Sequence, residues 1–288
     1  MGILYKRETR VAVIQSLIVQ GERERNLNAA MALLEQALTK RPQMLCFTQA
    51  FATGVNFIIL QKMAEPIPGG TVCQTLMHKA AEHRIHIVAG ILERGEDDYI
   101  YDSAVLIGPD GSLLGKYRRW MRWSGEINYV SAGAPAATVV TTDIGRIGLQ
   151  VGYDICFSQA SQHFLDQNVD IIVYCASIFD DLAYNVSHLC GARAMDNHCY
   201  VVFAGAIGEH QFANMHYMGN SCITCDPYVQ IKQLGRQQEA GMEMLARAGR
   251  GEEVITAKLY LDELRKARHK LPFHRDLRTA MAGGEATV

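Results

Sequence analysis

Ile147-Gly148-Leu149-Gln150-Val151-Gly152-Tyr153-Asp154-Ile155-Cys156-Phe157 is a strand-length apolar run that breaks at a glycine and turns polar. A strand stopping at Gly152 leaves a turn or a helix start beyond its carboxyl end. Downstream, residues 158–167 and 182–197 read as helices, and 170–176 and 200–206 as buried strands. Helices of this length carry the chain across a sheet between neighbouring strands. Upstream, residues 138–142 and 147–151 form a pair joined near Gly145. A second hairpin runs from 103–107 through Gly108-Pro109-Asp110-Gly111 into Leu113-Leu114-Gly115, so its strands are antiparallel.

The flanks repeat the alternation. Residues 10–15 form a β-branched strand, and 22–40 a helix with Leu27, Met31, Leu34 and Leu38 on one face, ended by Pro42. A buried strand at 44–48, a helix at 71–83 and a strand at 85–92 follow, with late strands at 219–225 and 253–260. Hairpins mixed with crossover helices predict an α/β fold with mixed sheets and helices outside. No domain boundary is visible: residues 1–278 read as one domain, 235–251 as its least structured interior segment, and 279–288 as an arm-like tail.

Composition narrows the function classes. The 288 residues are 49% hydrophobic and 20% charged, enough apolar surface to exclude disorder. A formal charge of −2 gives no electrostatic footprint for nucleic acid. Apolar runs such as 171–176 are too short for a membrane span, and residues 1–9 lack the apolar core of a signal peptide. Eight cysteines sit mostly inside apolar runs, as in Leu45-Cys46-Phe47, which suits buried free thiols in a cytoplasmic protein. Cys222-Ile223-Thr224-Cys225, read as a strand, points its thiols to opposite faces; with no second pair nearby, no metal and no cofactor are expected.

Four blocks carry a family resemblance: Met44 through Gly54 with Phe47-Thr48-Gln49-Ala50-Phe51; Gly115-Lys116-Tyr117-Arg118-Arg119 with Glu126 beyond; the opening stretch; and Gly191-Ala192-Arg193-Ala194-Met195-Asp196-Asn197. In this order they resemble the nitrilase (carbon–nitrogen hydrolase) superfamily over about residues 10–278. The resemblance implies a four-layer α-β-β-α sandwich and pairing into a homodimer or larger assembly. It also implies a Glu base, a Lys that stabilises the tetrahedral intermediate, a Cys nucleophile and a second, assisting Glu. These are the parts that activate a thiol, hold an oxyanion and protonate a leaving amine.

Against that pattern the sequence places Gln49 at the base, Lys116 at the lysine, Gly152 at the nucleophile and Glu126 at the second Glu. A neutral amide is no base near neutral pH, and glycine offers no nucleophile. Lys116 and Glu126 are therefore the expected catalytic pair, with Gln49, Gly152, Tyr153 and Cys175 forming the substrate pocket. Gly152 is expected to open free volume for a substrate group or an ordered water. Cys156 and Cys175 are the thiols near enough to act in its place, and both also read as small buried hydrophobes. The arginines and tryptophans of 116–123 suit a pocket rim, or an arginine pair facing a ligand carboxylate, better than a nucleic-acid surface.

The expectation is a repurposed enzyme that binds a small amide, amine or imine metabolite and performs non-thiol C–N chemistry such as cyclisation or dehydration. The alternative is a pseudoenzyme that binds a ligand or partner without chemistry.

Overall fold

The structure is a computed structural model that describes residues 8–179, 186–210, 215–229, 244–270, 273, 276 and 279. Two six-stranded mixed sheets lie face to face. The first takes the order β15-β1-β3-β4-β5-β6, from β1 (Thr9–Gln15), β3 (Met44–Cys46), β4 (His86–Arg94), β5 (Ile100–Ile107), β6 (Leu113–Arg118) and β15 (Glu253–Leu259). The second takes the order β14-β13-β10-β9-β8-β7, from β7 (Thr138–Thr142), β8 (Gly145–Val151), β9 (Ile171–Ala176), β10 (Tyr200–Gly205), β13 (Cys222–Cys225) and β14 (Ala246–Arg247). A small sheet joins β2 (Leu17–Ile18), β11 (Ile207–Glu209) and β12 (His216–Met218). Strands β1, β3 and β4 run parallel, as do β8, β9 and β10, while the expected hairpins β5–β6 and β7–β8 are antiparallel.

Alternation along the strands makes the layers. Val11, Val13, Val88 and Leu106 meet Leu149, Val151, Val173 and Val202 between the sheets. The opposite face of the first sheet packs Leu45, Ile87 and Val105 against Ala30 and Leu34 of α1 (Arg23–Leu38) and Leu76 and Ala80 of α3 (Thr71–His83). The second sheet turns Ile172, Tyr174 and Val201 toward Phe164 of α5 (His163–Asp166) and Cys190 and Ala194 of α6 (Val186–Asn197). The α-β-β-α sandwich is thus present.

Details depart from the sequence reading. On α1 the buried face is Asn26, Ala30, Leu33, Leu34 and Ala37, with Leu27, Met31 and Leu38 at its edge. The helix expected over 158–167 is two short pieces, α4 (Ser158–Ser161) and α5. α2 (Leu60–Met63) and the closing helix α7 (Leu261–Lys270) were not foreseen. Residues 182–185 of the expected helix, 235–243 of the interior segment and 280–288 of the tail lie outside the described residues. Cys222 packs in the outer layer and Cys225 between the sheets, opposite faces as expected. All eight cysteines are free, seven of them buried. Among the described residues no helix is long and apolar enough to cross a membrane.

A bulge in the β5–β6 ladder matters for the site. Leu106 pairs with Gly115 and Ile107 with Leu113, so Leu114 is the extra residue. Beyond it, Ala104 faces Tyr117 and Val105 faces Lys116. Ala104 and Tyr117 point between the sheets, and Val105 points to the helical layer.

Candidate functional site

The carboxyl ends of β3, β8 and β9 converge, as ligand-binding ends of parallel strands do in α/β folds. Gln49 follows β3, the 3₁₀ turn Gly152–Cys156 follows β8, and Ser177 follows β9. Gln49 is buried, and its backbone presses so closely on Gly90 of β4 that a side chain at 90 would meet Gln49 Cα. Its carboxamide is held at both ends. Nε2 donates to Asp102 Oδ2, and Oε1 accepts from the Ser177 amide at 2.9 Å. A Cβ built on Gly152 would lie 3.2 Å from Gln49 Cδ and closer still to Oε1. The volume expected to be free at Gly152 is therefore filled by Gln49.

The cation beside this glutamine is Arg119, not Lys116. Arg119 is buried, and its Nη2 lies 2.7 Å from Glu126 Oε2 and 3.5 Å from Asp102 Oδ2. The Trp123 amide also donates to Glu126 Oε2, at 3.1 Å. Lys116 points the other way and places Nζ 2.5 Å from Glu93 Oε1. Arg118 adds two bonds to Glu93 at 2.7 and 3.0 Å, and Ser103 a third donor at 2.5 Å. Strand alternation is the cause. Lys116 and Arg118 share the outer face of β6 with Ser103 and Glu93, whereas Tyr117 and Arg119 share the inner face. The expected Lys116–Glu126 pair is accordingly not formed. Nor do the arginines wait for a ligand carboxylate, because Arg118 and Arg119 both bind the protein's own.

Asp154 fastens the arginine segment to the glycine turn. It accepts from Tyr117 Oη at 2.8 Å, the Met121 amide at 2.8 Å and the Val151 amide at 3.4 Å. Burial pushes the carboxyls of Asp102 and Asp154 up to about 6, against the pull of Arg119 and their hydrogen-bond donors. Burial opposes the charge on Arg119 as well, but Glu126, Asp102 and Asp154 together hold it above the ordinary guanidinium value. At Glu93 burial also opposes charge, and the bonds from Arg118, Lys116 and Ser103 keep its carboxyl below the usual range.

Part of this network borders a cavity of about 30 Å³, whose walls include Gln49, Arg119, Trp123, Glu126, Tyr153 and Ser177. Phe179, His210 and Tyr217 complete an aromatic side: Phe179 stacks on Tyr217 at 5.3 Å and meets Trp123 edge-on at 5.6 Å. Burial lowers the pKa of His210, favouring neutral imidazole, with Glu126 opposing. Of the expected site residues, Gln49, Glu126 and Tyr153 line this cavity, and Gly152 lies behind Gln49. Cys175 is wholly buried between the sheets, its thiol pushed far up by burial. Cys156 is half-buried, its thiol also raised by burial against the pull of Arg193. Lys116 instead lines a surface groove with Pro66, Glu93 and Thr138. Among the described residues no cluster of three or more His, Cys, Asp or Glu is arranged to hold a metal.

Asp102, Asp154, Ser177 and His210 were not singled out from sequence. The carbon–nitrogen hydrolase profile matches residues 10–269. The chain belongs to the carbon–nitrogen hydrolase family. Among curated relatives, omega-amidase NIT2 of Xenopus tropicalis is 26% identical over 281 residues, covering 93% of this chain and 95% of that one. Nit3 of Saccharomyces cerevisiae superposes with a TM-score of 0.80 at 22% identity, covering 94% of this chain and 97% of that one. A superfamily protein from Xanthomonas campestris, with an arsenic adduct in its active site, gives a TM-score of 0.80 at 21% identity over 98% and 99% of the two chains. At these identities the solved structures speak for the fold.

Proposed function

We propose that this family member binds a small nitrogen-containing metabolite, an amide, amine or imine, beside Gln49 and Arg119, and does so without a cysteine thioester. The observation that carries the reading is the fit between Gln49 and Gly152: a carboxamide fixed by Asp102 and Ser177 stands where a nucleophile's side chain would project. In this proposal Glu126 keeps the role expected of it, Arg119 takes the one expected of Lys116, and Tyr153 contacts the ligand. The test offers the full chain a panel of primary amides and nitriles, ω-amides included. The expected result is no ammonia release and no acyl adduct by intact mass, with at least one small amide or amine raising the melting temperature. Ammonia release with an adduct on any cysteine overturns it.

A second reading is turnover without a thiol, such as cyclisation or dehydration. It is favoured by Asp102, whose carboxyl, pushed up to about 6 by burial, exchanges a proton near neutral pH beside Arg119. Its test is a product mass lacking water or ammonia, formed by the wild type and lost in Asp102→Asn. A cytoplasmic location and pairing with a second copy belong to the same proposal. Light scattering at micromolar concentration checks the pairing, and a monomer mass counts against it.

A further inference from the structure

The site's charges do not balance. Three buried carboxylates act on Arg119, those of Glu126, Asp102 and Asp154. Asp154 is satisfied by Tyr117 and two backbone amides. Asp102 is not: it is wholly buried, Oδ2 serves Gln49 and Arg119, and Oδ1 has no hydrogen-bond partner among the described residues. One guanidinium cannot neutralise Glu126 and Asp102 together, and no second cation lines the cavity among the described residues. The other walls include the aromatic rings of Trp123, Tyr153, Phe179 and Tyr217.

A second unfilled group narrows the ligand. Arg119 lines the cavity, is 3% exposed, and its Nε has no partner among the described residues. Arg119 is the cation that lines the cavity among the described residues, so the ligand is given an oxygen acceptor within reach of its guanidinium. That oxygen is neutral, because the charge of Arg119 is already committed to Glu126 and Asp102. We infer that the site takes a small protonated amine with a neutral oxygen acceptor beside it, an amino amide or an amino alcohol, rather than a carboxylate-bearing ligand. The ammonium offsets the surplus carboxylate charge and the oxygen accepts from Arg119. The cavity of about 30 Å³ has room for a polar head about two water molecules in size.

This inference rests on the proposed binding function, and three probes of similar shape separate the two. Glycinamide carries the ammonium and an amide oxygen, propionamide replaces the ammonium with a methyl group, and malonamate replaces it with a carboxylate. Affinities for the protein at pH 7 are read by ligand-observed NMR titration. The expected result is glycinamide bound about tenfold or more tightly than propionamide, with malonamate weakest. In Glu126→Gln the preference for glycinamide over propionamide narrows severalfold. Equal binding of glycinamide and propionamide, or tighter malonamate, overturns the charge assignment and leaves the proposed function standing. Binding of none of the three at tens of millimolar overturns the assignment and counts against the amide–amine function itself.

Discussion

Gln49 and Gly152 share one volume: the glutamine carboxamide lies over the face of residue 152 from which a side chain would project. Gly152 also holds φ at +47°, in the left-handed region where a Cβ costs about 1–2 kcal/mol. Gly152→Ala is therefore expected to lose about 2 kcal/mol or more in urea unfolding, from strain and collision together. Adding Gln49→Ala removes the collision, so the double variant should be more stable than the sum of the two losses, with a coupling of about 1 kcal/mol. Strictly additive losses would show that the two side-chain positions do not interact.

The two cations of 116–119 should respond very differently to truncation. Arg119→Met strands Glu126 and Asp102 in a buried site, and a loss of about 3–5 kcal/mol is expected. Lys116 is partly exposed, and Glu93 keeps Arg118 and Ser103 when it is removed. Lys116→Met should cost about 1 kcal/mol or less and leave ligand binding unchanged. Chemical denaturation and one binding titration measure both. A binding defect in a folded Lys116→Met protein would contradict the placement of the site.

Acid should act on the core in a defined direction. The carboxyls of Asp102 and Asp154 lie higher in the folded protein, about 6, than the ordinary aspartate value near 3.9. Between those values the native state holds more protons than the unfolded chain, so these two groups make stability fall as pH rises from about 4 to about 6. Glu93, held low, contributes the opposite slope at the acid end. Subtracting the Asp102→Asn stability curve from the wild type should isolate the Asp102 share of the first slope. A flat difference across pH 4–6 would rule out the raised carboxyl.

The thiols should be quiet. Burial raises the pKa of Cys156 and Cys175, and seven of the eight cysteines are buried. Short treatment of the native protein with iodoacetamide at pH 7 should add at most one label, at Cys156. Cys156→Ala should leave ligand affinity within about twofold. Rapid labelling of Cys175 would reveal a reactive thiol that the packing does not suggest.

Most of the fold could be read because hydrophobic period and turn chemistry agree along the chain. Thr71–His83 was legible end to end, and the structure closes it with Glu65 accepting from the Val72 and Cys73 amides and Arg84 in a left-handed turn. The 158–167 segment was less so, because helical composition does not reveal an interruption at Gln162. The motif blocks point to Gln49, Tyr153 and Glu126, which line the cavity, and to Gly152 behind Gln49. As a string of residue types, the 115–119 block points to Lys116 rather than Arg119. Read as a strand, it places residues 117 and 119 on one face and 116 and 118 on the other. Asp102 and Ser177 gave no local signal, since their meaning comes from contacts with Gln49 across 53 and 128 residues of chain.

The bulge at Leu114 gives that alternation a larger reach. If β6 slid by one residue to erase the bulge, Lys116 and Arg118 would turn inward and Tyr117 and Arg119 outward. The pocket would then hold a different cation, and Glu93 would face a tyrosine and an arginine instead of Lys116 and Arg118. A single inserted or deleted codon at the hairpin tip could thus rewrite the chemistry of the pocket without touching any residue that lines it. Lineages of this fold could change function through the length of a surface turn, a route that a residue-by-residue comparison of active sites would overlook.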